Sequence, residues 1–407
     1  NPNHTASERQ YLSTILYARA ASRHTGKRNC IIQMKSEKLH SGERLQSLDT
    51  LRGMDMLFIM RGNEILIGLS LILPFPFFQQ IAEQTNHVAW NGCHLQDMIF
   101  PLFLFIAGIS FPLSLASQRR KGFSTGKVIR KIFSRCLKLI ILGILYNGFL
   151  QFNFENMRFA SVLGRIGLAW AGAALIFVFV EKNSIRVLIT AFILLFYWLL
   201  LKYVPAPDGA GADVFSMEGC LVGWVDRQIL PGKLLNGIHD PEGILSTLPA
   251  ISTALLGMLT GEIVMKKENV MTGKRKVFFL IVTGLVLTAF GLIWNKVFPI
   301  NKNLWSSSFV CFVGGISMVL FALMYYMVDV LKCRKWTLFF RVIGMNSITI
   351  YMAQVFVKFN YTSEAIFHGA ISFLPDNVQP LFNAIVYIAV CWGFLYFLYR
   401  QKIFLKV

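Results

Sequence analysis

The stretch NHVAWNGCHLQDMIFPLFLFIAGISFP, residues 86–112, sets two histidines and an aspartate directly ahead of an apolar run. From Met98 the run continues without a charge to Gln118. About 20 such residues at ~1.5 Å each cross the hydrocarbon core of a bilayer, so the stretch reads as a membrane-spanning helix with a polar mouth at His87, His94 and Asp97.

Working outward, the rest of the chain repeats the pattern. Of its 407 residues 55% are hydrophobic, with 36 Phe, which places it outside the usual composition of water-soluble domains. Uncharged runs predict ten spans, near 54–73, 97–117, 128–149, 160–180, 187–204, 244–264, 277–298, 305–331, 341–359 and 380–399. The expected fold is therefore an all-α polytopic membrane bundle of about ten helices. The formal charge of +19 does not point to nucleic acid, because the Lys and Arg residues lie in short clusters between apolar runs and form no single patch.

Those clusters set the orientation. RRKGFSTGKVIRKIFSRCLK (119–138), EKNSIR (181–186), KKENVMTGKRK (266–276), KCRKWTLFFR (332–341) and RQKIFLK (400–406) are basic. The alternate connections, near 74–96, 147–160, 203–243, 299–304 and 360–379, are poor in Lys and Arg and carry Asp and Glu. By the positive-inside rule the basic set is cytoplasmic, both termini lie inside, and the loop carrying His87 faces the far side. Residues 1–44 form a separate N-terminal segment, with Met34 as the expected natural start and a helical reading open for YLSTILYARAASR. The membrane domain is expected to occupy 45–407.

Several signals are missing: a strong internal repeat, a nucleotide-binding glycine loop, a zincin motif, a C-x-x-C pair and any other metal-ligand pattern. Cys93 and Cys220 share the expected outer face, where a pairing stays open.

Polar residues that a bilayer should exclude are the candidates for function, since each intramembrane charge costs a few kcal/mol unless paired or facing a cavity. MRGNEIL (60–66) offers Arg61, Asn63 and Glu64, the second span opens with Asp97, and VLGRIGLAW (162–170) carries Arg165. All are expected toward the outer side, in a polar cavity roofed by the 74–96 loop. Bland readings stand beside these: Arg165 paired with Glu64 or Asp97 between helices, His94 as a helix cap, Asn86 and Asn91 as turn residues around Gly92, and Trp90 as an interfacial anchor. On the inner side SLDTLRG (47–53) places Asp49 and Arg52 three apart, as a structural pair or as a dock for a phosphate-bearing donor.

Five ordered blocks carry a resemblance: SLDTLRGMDML (47–57), NHVAWNGCHLQDMIFPLFLFIAG (86–108), DPEGILSTLPAISTALLGMLTGE (240–262), FPINKNLWSSSFV (298–310) and GMNSITIYM (344–352). Together they resemble the heparan-alpha-glucosaminide N-acetyltransferase family and its bacterial relatives, often filed as a domain of unknown function. The resemblance implies a multi-pass acyltransferase that passes an acetyl group from cytosolic acetyl-CoA to an amino sugar or related glycan across the bilayer. It places the family's active-site histidine on His87 and an asparagine of its first span on Asn63. Between these two the chain is longer than the mammalian members, and the lack of their luminal N-terminal domain implies a bacterial inner-membrane protein. The resemblance also suggests a homodimer.

On that reading His87 is general base or acyl carrier, Asn63 donates to the thioester carbonyl, and Asp97 orients the imidazole or holds the sugar's ammonium. Asp49, Arg52 and Arg165 would hold acetyl-CoA. Glu64, Trp90, Asn91, Lys302 and Asn303 would hold the acceptor, and Asn346 would bond between helices. The rival expectation is a transporter or flippase of a sugar-linked substrate, with LPFPFF and IFPLF as gates. A third is a structural member of a sugar-utilisation complex.

Overall fold

Long apolar runs in lipid satisfy their backbone groups only within helices, and helices are what the chain forms. The computed structural model describes residues 45–153, 155–209 and 211–405, so Met34 and the YLSTILYARAASR reading fall outside the described residues. Helix α1 (Gln46–Leu57) passes through a π turn (Phe58–Gly62) into α2 (Asn63–Ile72), followed by α3 (Pro76–Glu83) and α4 (Leu95–Arg120). Then come α5 (Thr125–Tyr146), α6 (Val162–Phe179), α7 (Asn183–Tyr203), α8 (Leu221–Ile229) and α9 (Thr247–Met265). The last group is α10 (Gly273–Trp294), α11 (Ser307–Tyr325), α12 (Thr337–Met345), α13 (Ser347–Phe356), α14 (Phe359–Ile371) and α15 (Gln379–Arg400).

Seven helices among the described residues are long and apolar enough to cross a membrane: α4, α6, α7, α9, α10, α11 with its π turn, and α15. An eighth span arises if α12 and α13, bent by 68°, count as one. This is a polytopic membrane protein. The two other expected spans are helical yet differ for physical reasons. Helix α5 carries Lys127, Arg130, Lys131, Arg135 and Lys138 on its first turns. The first span breaks at Met60 and Arg61, where Arg61 takes a left-handed φ of 65°. The freed carbonyl of Ile59 accepts from Gln354 Nε2 at 3.2 Å, and the Arg61 guanidinium lies 4.6 Å over the Tyr387 ring.

Small residues let the central helices touch. A Cβ on Gly257 would stand 2.1 Å from the Phe105 carbonyl oxygen, and one on Gly108 2.3 Å from that of Ala254. So α4 and α9 meet backbone to backbone, the close packing that small residues permit where lipid supplies no hydrophobic drive. Leu104, Ile166, Ala169, Leu255 and Phe309 fill the core around this contact. Helices α7, α10 and α15 keep most of their apolar surface outward. Helix α4 runs unbroken through Pro101 and Pro112, so IFPLF is no interruption.

Candidate active site

The segment before α4 is tied down at both ends. Gly92, at φ 116°, donates its N–H to the Ile300 carbonyl at 2.7 Å, and Asn301 Nδ2 donates to Asn91 Oδ1 at 3.1 Å. His94 Nδ1 contacts the Asn86 carbonyl at 3.0 Å. These ties hang His87 above the first turn of α4 and bring Lys302 beside it.

Asp97, third residue of α4 and 2% exposed, is the centre of the arrangement. Its Oδ2 accepts from the N–H groups of His94 (3.1 Å) and Val88 (3.2 Å). Its Oδ1 meets His87 Nδ1 at 2.7 Å and Lys302 Nζ at 3.3 Å. The positive end of the α4 dipole favours the same anion. His94 thus acts as the helix cap that its spacing suggested.

The ring's tautomer follows from its partners. An ionised carboxylate only accepts, so the 2.7 Å contact assigns the proton to His87 Nδ1. Lys302 Nζ, 3.2 Å from the same Nδ1, is then a second donor sharing the Asp97 oxygen. In the neutral ring Nε2 carries the lone pair, and the His87 side chain is 57% exposed. Such a ring can take a proton or attack an acyl carbon.

His87, Trp90, Asp97, Lys302 and Asn303 line one cavity of about 410 Å³. Four of the loops expected on the outer side meet there: 74–96, 147–160, 203–243 and 299–304. Arg158, Asn236 and Glu242 line it as well. Arg158 Nε donates to Asp240 Oδ2 at 2.8 Å and Nη2 to Asp240 Oδ1 at 2.5 Å, and Nη2 also meets Glu242 Oε2. Burial pulls Arg158 toward the neutral form, but the two carboxylates outweigh it and hold the guanidinium above its ordinary range. Burial likewise opposes Asp240's charge, and the bond from Arg158 overcomes it, lowering that carboxyl.

The sequence expectations divide accordingly. Asn63 and Glu64 lie beyond the break in the first span and do not line the cavity, where Ile59 stands for that span instead. Glu64 pairs with Arg61 at 3.4 Å. Arg165 does not pair with Glu64 or Asp97. It is 2% exposed beneath the 239–246 loop, donating to the Gly243 carbonyl at 3.0 Å and to Ser246 Oγ, with Trp305's ring 5.0 Å away. A guanidinium so enclosed holds the loop and cannot reach a donor in this arrangement. Trp90 Nε1 donates to the Phe215 carbonyl at 2.7 Å, and its ring meets His239 edge-on. Asn91 is spent on Asn301. Asp49 and Arg52 pair at 3.8 Å near the start of α1, and Arg52 Nη2 donates to Ser110 Oγ at 3.1 Å. Asn346 sits at the α12–α13 bend, 2% exposed, without a side-chain partner among the described residues. Cys93 and Cys220 are free thiols. No group of three His, Cys, Asp or Glu suited to a metal occurs among the described residues.

Arg158, Glu242 and Tyr351 line the cavity but were not singled out by sequence. A signal existed for each: Arg158 is a lone arginine in a loop otherwise free of basic residues, Glu242 lies in the DPEG block and Tyr351 in GMNSITIYM.

Comparison with known proteins completes the description. A family profile described as heparan-alpha-glucosaminide N-acetyltransferase, catalytic, matches residues 44–288. The chain is 27% identical over 425 residues to a Mus musculus protein named heparan-alpha-glucosaminide N-acetyltransferase, covering 90% of this chain and 61% of that one. It is 28% identical over 417 residues to the Homo sapiens protein of the same name, covering 89% and 60%. The chain therefore spans about three fifths of the length of these relatives. With the profile covering more than half of its residues, the chain belongs to the heparan-alpha-glucosaminide N-acetyltransferase catalytic family.

Proposed function

We propose that the protein is a membrane acyltransferase that moves an acetyl group from acetyl-CoA to an amino sugar or related glycan, with His87 as the reacting base. The observation that carries this reading is the 2.7 Å contact of His87 Nδ1 with buried Asp97, in a residue that lines the cavity, which makes Nε2 the acceptor of the neutral ring. The acceptor's amine loses its proton to Nε2 and attacks the thioester carbonyl. The carbon–sulfur bond breaks, and CoA leaves as a thiolate that takes up a proton. In a relay version Nε2 itself receives the acetyl group, releases CoA, and passes the acetyl to the amine in a second step.

The donor side has its own support. A narrow apolar slot of about 40 Å³ shares Ile59, Phe100, Val162 and Tyr351 with the cavity and continues along α1, α4 and α6 to Met56, Phe103 and Ile166. Its Met56 lies one helical turn from Arg52 on α1, and Arg52 with Asp49 is the proposed dock for the phosphates of CoA. A thioester arm that widens this slot into the cavity would meet His87 without an intermediate carrier, the direct version of the transfer. Lys302 is the cation beside the base, while Asn63 takes the carbonyl-polarising role only in a conformation that turns it toward the cavity. In this proposal all ten helical stretches span, both termini are cytoplasmic, and the cavity opens on the extracytoplasmic side of a bacterial inner membrane, with the protein acting as a homodimer.

Thiol release from acetyl-CoA by the purified protein in liposomes tests the proposal. Release that needs glucosamine and vanishes in His87→Ala is expected. Release without acceptor, leaving acetyl on the protein, selects the relay, and equal release by the variant overturns the role of His87.

A further inference from the structure

Helix α5 has a buried face and an outward face of mixed character. Val128, Ile132, Cys136, Leu139 and Gly143 form the buried one, which packs on α6. There a Cβ on Gly167 would stand 3.1 Å from the Cys136 carbonyl oxygen and from Leu139 Cβ. Outward stand Phe133, Leu137 and Ile141, at 56%, 58% and 48% exposure, beside exposed Lys127, Arg130, Lys131 and Lys138. At ~100° per residue Lys127, Lys131 and Lys138 fall within about 40° of one line along the helix, with Arg130 about 60° to its side.

These cations have no acid to face. None of the four has a carboxylate partner among the described residues. Lys127 and Lys131 hold their ammoniums 4.1 and 4.2 Å from the centre of one ring, that of Phe123. Two like charges gathered on one ring repel, and an anion between them relieves that repulsion. Depth adds to the demand. The far end of α5 reaches the cavity, where Tyr146 stacks on Tyr351. Only ~12 Å of helix separates Lys138 from Tyr146, against ~30 Å of hydrocarbon core. An exposed ammonium at that level is costly unless it is paired, and its stem can carry it back toward the helix N-terminus and Lys131. A second copy does not supply the counter-charge, since α5, α7, α10 and α15, all with exposed outward faces, contain no Asp or Glu.

We infer that the outward face of α5 is a binding site for an anionic phospholipid of the leaflet away from the cavity. Lys127 and Lys131 hold its phosphate, Arg130 and Lys138 flank it, and an acyl chain lies along Phe133, Leu137 and Ile141. Charge complementarity selects the headgroup, and the apolar residues on the same face select a lipid over free phosphate.

The test is native mass spectrometry of the full protein released from nanodiscs that hold equal amounts of phosphatidylglycerol and phosphatidylcholine. The lipid that stays bound is expected to be enriched in phosphatidylglycerol by about fivefold or more, what one basic residue at an anionic surface supplies. Neutralising the stripe in K127Q/R130Q/K131Q/K138Q should bring the ratio toward unity, and Lys138→Gln alone should lower it with the fold intact. Removing four exposed basic residues elsewhere, in K266Q/K267Q/K274Q/R275Q, should leave the enrichment in place. Parity of the two lipids on the unaltered protein overturns the inference. So does an equal loss in the second quadruple variant, which would make the effect one of net charge. Loss of a dimer in the α5 variants with unchanged lipid enrichment also overturns it, and gives the face to a second copy.

Discussion

Two clusters of similar chemical make-up lie at the end of the bundle that carries the 74–96 loop. One is His87, Asp97 and Lys302; the other is His239, Asp226 with Asp240, and Arg165. Each combines an imidazole, a carboxylate and a cation, yet only the first is open. There the ring bonds to its carboxylate and lines the cavity. His239 is fully buried, and neither of its ring nitrogens has a partner among the described residues. Burial pushes its ring down to about 4, against the pull of Asp240. Residue types alone do not make a catalytic group. Access and a fixed proton on one nitrogen do, and the second cluster has neither.

Removing each histidine gives the sharpest contrast. His87→Ala should lower acetyl transfer by about a thousandfold or more, the upper range for loss of a general base. His239→Gln should keep most of the activity when both are measured by thiol release at equal membrane insertion. Comparable losses in the two variants would break the distinction.

The second cluster should reveal itself in stability. Arg165→Met takes the nearby guanidinium charge from buried Asp226 and the donor from the Gly243 carbonyl and Ser246, and loss of one partner of a buried charge group costs roughly 3–5 kcal/mol. A marked drop in thermal unfolding temperature is expected, with an unchanged KM for acceptor in the fraction that stays folded. A change in KM without loss of stability would return Arg165 to the ligand site.

A smaller effect belongs to the first cluster. Asp97→Asn keeps the shape and can still meet Nδ1, but the amide offers its ring contact either tautomer and no charge. A fall in kcat of about a hundredfold is expected, with little change in unfolding temperature. If Asp97 only capped α4, stability would drop by about 1 kcal/mol and kcat would hold.

This contrast also shows what the sequence made legible. Runs of apolar residues located all ten helical stretches, because hydropathy is a local property that every span carries in itself. Asp97 stood out for the same reason, as a charge at the head of such a run. The break at Arg61 was not legible, since its left-handed backbone depends on Gln354 and Tyr387, some 290 and 320 positions away. Arg165 looked like a ligand group because an intramembrane charge is often functional, and only the fold shows that its Nη2 bonds to Gly243 and Ser246 while Nε and Nη1 have no partner among the described residues. Convergence of four outer loops on one cavity is likewise a property of chain topology, which no single stretch encodes.

The least effect, and the most discriminating, comes from pH. Burial pushes Asp226 up to about 6, against the Ile244 N–H and Arg165, from an ordinary 3.8. His239 moves the other way, to about 4 from 6.5. Between pH 4 and 6 the folded protein holds a proton on Asp226 that the unfolded chain has lost, so this group lowers stability as pH rises. Through the same window the unfolded chain protonates His239 and the folded one does not, so that group raises stability as pH rises. Each shift is about two units, worth at most ~3 kcal/mol, and the two nearly cancel. Asp240, held below its ordinary range, acts below this window. The unaltered protein should therefore show an almost flat unfolding temperature from pH 4 to 6.5. His239→Gln should tilt that profile downward with pH, and Asp226→Asn should tilt it upward. Parallel profiles in all three would mean that water reaches both groups, and the second cluster would then be as open as the first.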